Sequence, residues 1–189
     1  MKMNKSVVKA AVLIILLVGV SVVCLAWVFP GRMTGGGSVF VASENMTVHT
    51  NGGTDPFRVT HGFEIHCGSD ANQAGPPPNN LEVNWPGHQF HMDNLTLGHC
   101  ECNATLLPPN PPSAGFNEFV GAGTGKLDGA DGASISFIFT DQGERGTSDT
   151  ESMTIMDPSG SPVLSFGTTK LTFGNHQAHS GSGVPACNK

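Results

Sequence analysis

The sequence predicts an all-β domain, an antiparallel β-sandwich or jelly roll that is stapled by disulfides and preceded by one hydrophobic N-terminal leader. Apolar and polar residues alternate over short segments, and Gly- and Pro-rich turns separate these segments. No segment after the leader repeats its apolar residues with a helical period. Charged residues make up only 13% of the chain, whereas Phe, Val, Thr and Ser, which are typical of strands, are common.

The leader comprises residues 1–30. Lys2, Lys5 and Lys9 precede an uncharged run, of which Val12–Phe29 is the apolar part. A signal-peptide core needs about 7–15 apolar residues and a spanning helix about 20, so the length is compatible with a cleaved signal peptide or a retained membrane anchor. The positive N-terminal flank places the rest of the chain outside the cell. We therefore expect a protein that is secreted, or anchored to the outer face of the membrane and touching it only through this segment.

A glycine-rich tether with a short strand is predicted at residues 31–45. Gly31–Gly37 has the composition of a flexible linker. The segment after it has the composition of a strand, formed by Ser38, Val39, Phe40, Val41 and Ala42. A strand on a flexible tether can complete the open sheet of a neighbouring copy, and this would build a surface fibre. The alternative is that the strand pairs within its own domain.

Residues 46–189 are predicted to form a single β-sandwich domain. Val59–Cys67 alternates most clearly, with its apolar residues on one face and its polar residues on the other. Leu106–Gly115 is too rich in proline for a sheet interior and is expected to be a surface loop. The other predicted strands are centred on Leu81–Trp85, Phe90–Met92, Ile135–Phe139, Met153–Ile155, Val163–Phe166 and Lys170–Phe173.

Four cysteines lie beyond the leader, an even number that indicates disulfides in an exported domain. A Cys100–Cys102 bridge would close a very small strained loop, which leaves Cys67 paired with one of these two and Cys187 with the other. We favour Cys67–Cys100 with Cys102–Cys187, because the second bridge would pin the C-terminal tail. Metal binding by His99, Cys100 and Cys102 is the rival interpretation, although Cys-x-Cys lacks the usual zinc spacing.

The histidines are candidate zinc or copper ligands. His61 shares a face with apolar residues, which favours a hydrogen-bonded core histidine over a ligand. His88 and His91 would point to opposite faces of a strand, so only a turn would bring them together. His176 and His179 have the same spacing in a Gly- and Ser-rich tail, where they are expected to be able to converge.

Two acidic turns are candidate calcium sites, because Ca²⁺ prefers oxygen ligands on flexible loops. They are Leu127–Gly132 and Asp141–Glu151. The alternative is that Asp-Gly simply makes hairpin turns. The candidate ligands are Asp128, Asp131, Asp141, Glu144, Asp149 and Glu151, and Ca²⁺ is the one cofactor that the sequence suggests.

Other function classes are disfavoured by charge and by motifs. The net charge of −6 argues against nucleic-acid binding, which needs a basic face. The sequence contains no G-x-S-x-G, no H-E-x-x-H and no phosphate loop, so we predict that the protein is not an enzyme.

Several longer strings resemble a family of small secreted prokaryotic modules, sometimes labelled post-COAP-type domains. The resemblance spans nearly all of the chain after the leader. It implies export and a β-rich module, supplies no catalytic residues, and marks Cys67 and Cys100 as the usual pair, with Cys102 and Cys187 as additions. The strings are GRMTGGGSVF (31–40), RVTHGFEIHC (58–67), NNLEVNW (79–85), GTGKLDGADGASISFIFTDQGE (123–144) and GNHQAH (174–179).

The sequence thus predicts a non-enzymatic extracellular structural module whose partners are copies of itself or other cell-surface proteins. Self-assembly into a fibre through the N-terminal strand is one version of this prediction. The alternative is a secreted module that binds a metal ion (Ca²⁺, or Zn²⁺ or copper) or a glycan. For a glycan, Trp85 near the His88–His91 turn would supply a stacking platform if it is exposed.

Overall fold

The computed structural model describes residues 31–41, 56–68, 72–106, 114–144, 146, 148–180 and 187. The predicted leader at residues 1–30, Ala42 of the predicted assembly strand and most of the proline-rich loop lie outside the described residues. Among the described residues, no helix is long and apolar enough to cross a membrane.

The described chain forms one antiparallel sheet of nine strands, which confirms the all-β prediction. Strands β1 to β8 form a meander in which each strand pairs with the next, and β9 returns to pair with the other side of β1. The strands are β1 (Gly31–Val41), β2 (Phe57–His66), β3 (Asn80–Trp85), β4 (His88–Glu101), β5 (Glu118–Leu127), β6 (Ala130–Thr140), β7 (Thr150–Met156), β8 (Pro162–Lys170) and β9 (Phe173–Ser180).

The sheet curls until its two halves face each other across a shared core. Phe63 on β2 stacks on Phe139 on β6 with ring centroids 4.4 Å apart, although β3, β4 and β5 separate these strands in the sheet. Two register shifts in β4, between Met92 and Asn94 and between Leu95 and Leu97, locally increase twist and bending where the sheet turns. The two layers of the predicted sandwich are therefore halves of one curled sheet.

The predicted glycine tether is wrong, because Gly31–Gly37 forms the first part of β1. This strand is hydrogen-bonded on both sides, to β2 and to β9. A Cβ on Gly35 would collide with the carbonyl oxygen of Asn175, and one on Gly36 would lie 2.8 Å from the carbonyl oxygen of His61. Small size, rather than flexibility, explains these glycines.

Strand β5 was not predicted because glycines take three of its core-facing positions. Gly121, Gly123 and Gly125 follow Phe119 on the buried face. A Cβ on Gly121 would collide with the ring of Phe137 on β6. The alternation is present, but glycine replaces the apolar side chains by which a buried strand face is recognised.

Both disulfides follow the favoured connectivity. Cys67, which follows β2, is bonded to Cys100 on β4, with a Cα–Cα distance of 5.5 Å. Cys102 is bonded to Cys187 with a Cα–Cα distance of 5.6 Å. These bonds occupy the thiols of the rival metal site at His99, and they join the end of β4 to β2 and to the C-terminal residues.

Candidate metal centre

Three titratable side chains meet in the core: His61 on β2, Glu151 on β7 and His176 on β9. Their relative exposures are 6%, 1% and 0%. One potential ligand atom from each lies within 4.8 Å of the others, which makes this the only such group of three among the described residues. Buried titratable groups are uncommon unless they are paired or bound to a metal, so this cluster is the strongest candidate for a functional site.

Side chains alternate between the two faces of a strand, and each of these three lies on the interior face. His61 is in phase with Val59 and Phe63 on β2, and Glu151 is in phase with Met153 and Ile155 on β7. Strands β2 and β7 belong to opposite halves of the curled sheet, so curling is what brings the two residues together.

Strand β1 lies between the two histidines in the sheet and lets their side chains approach. Gly37 is paired with His61 across β1 and β2, and Gly35 is paired with His176 across β1 and β9. A Cβ on Gly35 would lie 2.9 Å from the Cα and 3.2 Å from the Cδ2 of His176. Without a side chain on Gly35, the imidazole of His176 can lie close to β1.

The two imidazoles and a backbone carbonyl form a hydrogen-bonded chain. His176 Nδ1 donates to the carbonyl oxygen of Thr140 at 3.1 Å, because a carbonyl can only accept. Neutral His176 therefore presents an unprotonated Nε2, which lies 2.8 Å from His61 Nε2. It follows that His61 Nε2 is the donor in the contact between the rings.

Glu151 lies on the other side of the His61 ring. Its Oε2 is 2.9 Å from His61 Nδ1, within ion-pair distance. The orientation is not that of a hydrogen bond, however, and neither carboxylate oxygen has a hydrogen-bond partner among the described residues. A buried carboxylate without a hydrogen-bond partner is costly, so the Glu151 side chain is unsatisfied in this arrangement.

The surroundings of the cluster favour an uncharged His176. Burial lowers the pKa of His176 to about 3, and the neighbouring His61 acts in the same direction, while the bond to Thr140 opposes them. Aromatic rings wall the cluster: Phe139 lies 5.3 Å from His61 and Phe63 lies 5.1 Å from His176, between ring centroids. His176 is thus a neutral imidazole whose Nε2 lone pair is available to a proton donor or to a metal.

Two carboxylates in the β6–β7 connection fix the position of β9. Asp149 Oδ2 accepts the backbone N–H of His176 at 2.8 Å, and Asp141 Oδ2 accepts that of Ala178 at 2.8 Å. The other oxygen of each carboxylate accepts a backbone N–H within the connection, from Gln142 and from Gly143. Burial raises the pKa of Asp149 to about 6 and also raises the pKa of Asp141. These carboxylates thus accept hydrogen bonds from backbone N–H groups on the edge of β9 that is not paired with β1.

The predicted calcium ligands form two groups that lie far apart. Asp128 and Asp131 lie at one end of β6, whereas Asp141, Glu144 and Asp149 lie at the other. A strand of this length separates the two groups by about 30 Å. The oxygens of Asp141 and Asp149 already accept backbone hydrogen bonds, and Glu144 is exposed.

The Asp-Gly segment between β5 and β6 is a hairpin turn, which is the alternative to a calcium site that the sequence offered. Asp128 and Gly129 both have positive φ angles, 52° and 84°, as such a two-residue turn requires. Asp128 also accepts from His88 Nδ1 at 2.7 Å and from the backbone of Gln89 at 2.8 Å. Asp131 lies 3.7 Å from Lys126. The Asp128 carboxylate thus stabilises the turn.

The paired histidine motifs do not converge either. His88 contacts Asp128 and His91 contacts Glu82, so the two rings have separate partners. His176 and His179 point to opposite faces because the predicted tail is strand β9, and His179 Nε2 lies 2.9 Å from Thr34 Oγ1. Only His176 of these four belongs to the cluster.

Trp85 cannot serve as a sugar platform, because only 4% of it is exposed. Its ring packs on His88 with centroids 5.3 Å apart.

The prediction that His61 is a hydrogen-bonded core histidine is confirmed. Glu151, which faces His61, is predicted from the sequence to lie in an acidic turn. Its alternation with Met153 and Ile155 is the signal that places it on the buried face of β7.

The fold and the cluster define an all-β, disulfide-bonded domain with a buried histidine–carboxylate centre. Comparisons with protein families, with curated proteins and with solved structures found no match. The resemblance to post-COAP-type modules therefore stays a prediction.

Proposed function

We propose that this chain is a non-enzymatic structural module of an extracellular surface. The observation that carries the proposal is the pair of disulfides, Cys67–Cys100 and Cys102–Cys187, at one end of the curled sheet. Stable disulfides are typical of oxidising compartments. Each contributes about 2–4 kcal/mol to stability, which suits a protein that must persist outside the cell.

Association with copies of itself is the mode of assembly that we propose. In one copy, β1 is hydrogen-bonded on both sides by its own β2 and β9. Assembly through this strand therefore requires exchange, in which β1 of one copy takes the same place in the next. The narrow space over Gly35 and Gly36 suits a strand of this glycine-rich composition, which favours identical copies as partners over unrelated surface proteins.

Cysteine trapping tests the exchange. Phe40 on β1 and Arg58 on β2 are register partners on the exposed surface. In the double variant F40C/R58C, oxidised after purification of the mature protein, exchange predicts a ladder of covalent oligomers on non-reducing gels. Monomers that carry only an internal cross-link would contradict assembly through β1. The single variant F40C is the control for random cross-linking.

The extracellular structural role has its own test. The purified native protein is expected to gain two hydrogens per disulfide on reduction, as measured by intact mass, and to form ordered assemblies in negative-stain images. Free thiols in the native protein would contradict the extracellular assignment, and uniformly monomeric particles would contradict the structural one.

Metal binding is the second candidate function. The specific observation in its favour is the buried group of His61, Glu151 and His176, whose carboxylate has no hydrogen-bond partner among the described residues.

A further inference from the structure

We infer that His61 and His176 bind one transition-metal ion through their Nε2 atoms, with Glu151 as the residue that positions His61. The two-nitrogen ligand set favours Cu⁺ as the ion. The site lies inside the sheet, and this inference does not depend on the proposed structural role or on strand exchange.

The groups that face the outer nitrogens of the two rings are of the kind found beside metal-bound histidines. A histidine that binds a metal through one ring nitrogen usually donates the other N–H to a carboxylate or to a backbone carbonyl. His176 Nδ1 faces the carbonyl oxygen of Thr140 at 3.1 Å, and His61 Nδ1 faces Glu151 Oε2 at 2.9 Å. The outer hydrogen bond of His176 is thus in place, that of His61 needs only a reorientation of Glu151, and the two Nε2 atoms face each other.

The separation of the two Nε2 atoms sets the movement that binding requires. They are 2.8 Å apart, which is a hydrogen-bond distance. Nitrogens bound to one ion at about 2.0–2.1 Å lie roughly 3.3 Å apart in tetrahedral geometry and about 4 Å apart in linear geometry. The rings must therefore separate by about 0.5–1.3 Å, within the range of small side-chain rotations. Glu151 contacts the far side of the His61 ring and so positions this ring.

Proton balance gives the binding step. Binding needs the lone pair of His61 Nε2, which without metal points its proton at His176 Nε2. In the bound state the ring proton of His61 therefore lies on Nδ1, the nitrogen that faces Glu151. The step forms two bonds from nitrogen to metal by this change of tautomer, with no net release of protons and without oxidation or reduction.

Ligand number and burial select among ions. Structural Zn²⁺ is almost always bound by four ligands, whereas the inferred site supplies two nitrogens, which are sufficient for a linear Cu⁺ complex. The higher charge of Zn²⁺ or Cu²⁺ would also carry a larger desolvation cost among the rings of Phe63 and Phe139.

A route from solvent lies next to the cluster. A surface cavity of about 230 Å³ has Thr140, Thr150 and Glu151 among its lining residues. Two of these residues, Thr140 and Glu151, also contact the histidine pair. Local opening at the start of β7 would therefore admit an ion without unfolding of the sheet.

Reconstitution tests the site. The full exported chain, with its disulfides intact, is unfolded in guanidinium and refolded with one equivalent of Cu⁺ under anaerobic conditions, or with Zn²⁺ or Cu²⁺. After removal of loosely bound ions by a weak chelator, mass spectrometry is expected to find one copper per chain in the Cu⁺ sample. Variants H61Q and H176Q should retain none, and E151Q should bind about 10- to 100-fold more weakly. The matched control H179Q, on the same strand, should retain the ion.

Retention of no ion by the wild-type chain in any of the three samples would overturn the proposal, as would equal retention in H61Q and H176Q. Retention of Zn²⁺ or Cu²⁺ in preference to Cu⁺ would overturn the assignment of the ion. Because the variants could fail to fold, ¹⁵N NMR of the wild-type imidazoles is the second measurement. Both Nε2 resonances should shift on Cu⁺ addition, with both Nδ1 atoms protonated in the bound state, and unchanged Nε2 resonances would contradict the site.

Discussion

His61 Nε2 lies 2.8 Å from His176 Nε2, although 115 positions separate the two residues in the chain. They meet because β1 lies between β2 and β9 and carries glycine at the positions paired with each histidine. The pair is therefore a direct consequence of the sheet order, and the position of His176 depends on the absence of a side chain on Gly35.

Substitution of Gly35 tests this dependence. In Gly35→Ala, the new methyl would meet the carbonyl oxygen of Asn175 and the Cα of His176, so β9 must shift. We expect a loss of about 1–3 kcal/mol in the free energy of unfolding, measured by urea denaturation. Gly62→Ala on β2 is the control, since its methyl would have no neighbour within 4 Å. Equal stability of the two variants would contradict the role of Gly35.

Replacement of Asp149 is expected to change the pH dependence of stability in the metal-free protein. The pKa of Asp149 is raised from 3.8 to about 6 in the folded state, so between these values the folded protein binds more protons than the unfolded one. This contribution to stability is complete below about pH 4 and is lost as the pH rises to about 6, with a slope of up to about 1.4 kcal/mol per pH unit.

The Asp149→Asn variant lacks this contribution. Subtraction of its free energies of unfolding from those of the wild type should therefore leave a difference that decreases from pH 4 to pH 6. The buried His176 has the opposite sign, because its lowered pKa removes stability as the pH falls below about 6.5, but it is common to both proteins. A difference that is constant with pH would show that Asp149 titrates normally.

The two disulfides should differ in their contributions. Cys102–Cys187 joins residues 85 positions apart, and Cys67–Cys100 joins residues 33 positions apart. The chain-entropy relation predicts that the longer loop stabilises by about 1 kcal/mol more. We expect the double variant C102A/C187A to lose more stability in urea than C67A/C100A. The reverse order would show that packing around the Cys67–Cys100 bond outweighs loop entropy.

Calcium should leave the melting temperature unchanged. The oxygens of Asp141 and Asp149 are engaged by backbone N–H groups, and Asp128 is engaged by His88 and Gln89. Calorimetric scans with millimolar Ca²⁺ and with chelator are therefore expected to superimpose. A saturable rise in melting temperature with Ca²⁺ would restore the calcium site that the acidic turns suggested.

Local patterns predicted most of the strands but not their long-range arrangement. The alternation in Val59–Cys67 predicted strand β2 and the burial of His61, because the residues of a strand themselves show which of its faces is apolar. The inward glycines of β5, such as Gly121, gave no such signal. Pairing of β9 with β1 depends on contacts between distant segments, and these have no local signature. The meeting of His61 with His176 and Glu151 therefore became visible only in the fold.

Crystallography at the copper absorption edge tests the central claim most directly. Crystals of the chain without its predicted leader, reconstituted with Cu⁺, should show one anomalous peak between His61 Nε2 and His176 Nε2, with the two nitrogens moved apart to about 4 Å. Absence of a peak there, with the two imidazoles still at hydrogen-bond distance, would contradict the account and identify the cluster as a buried proton-sharing pair.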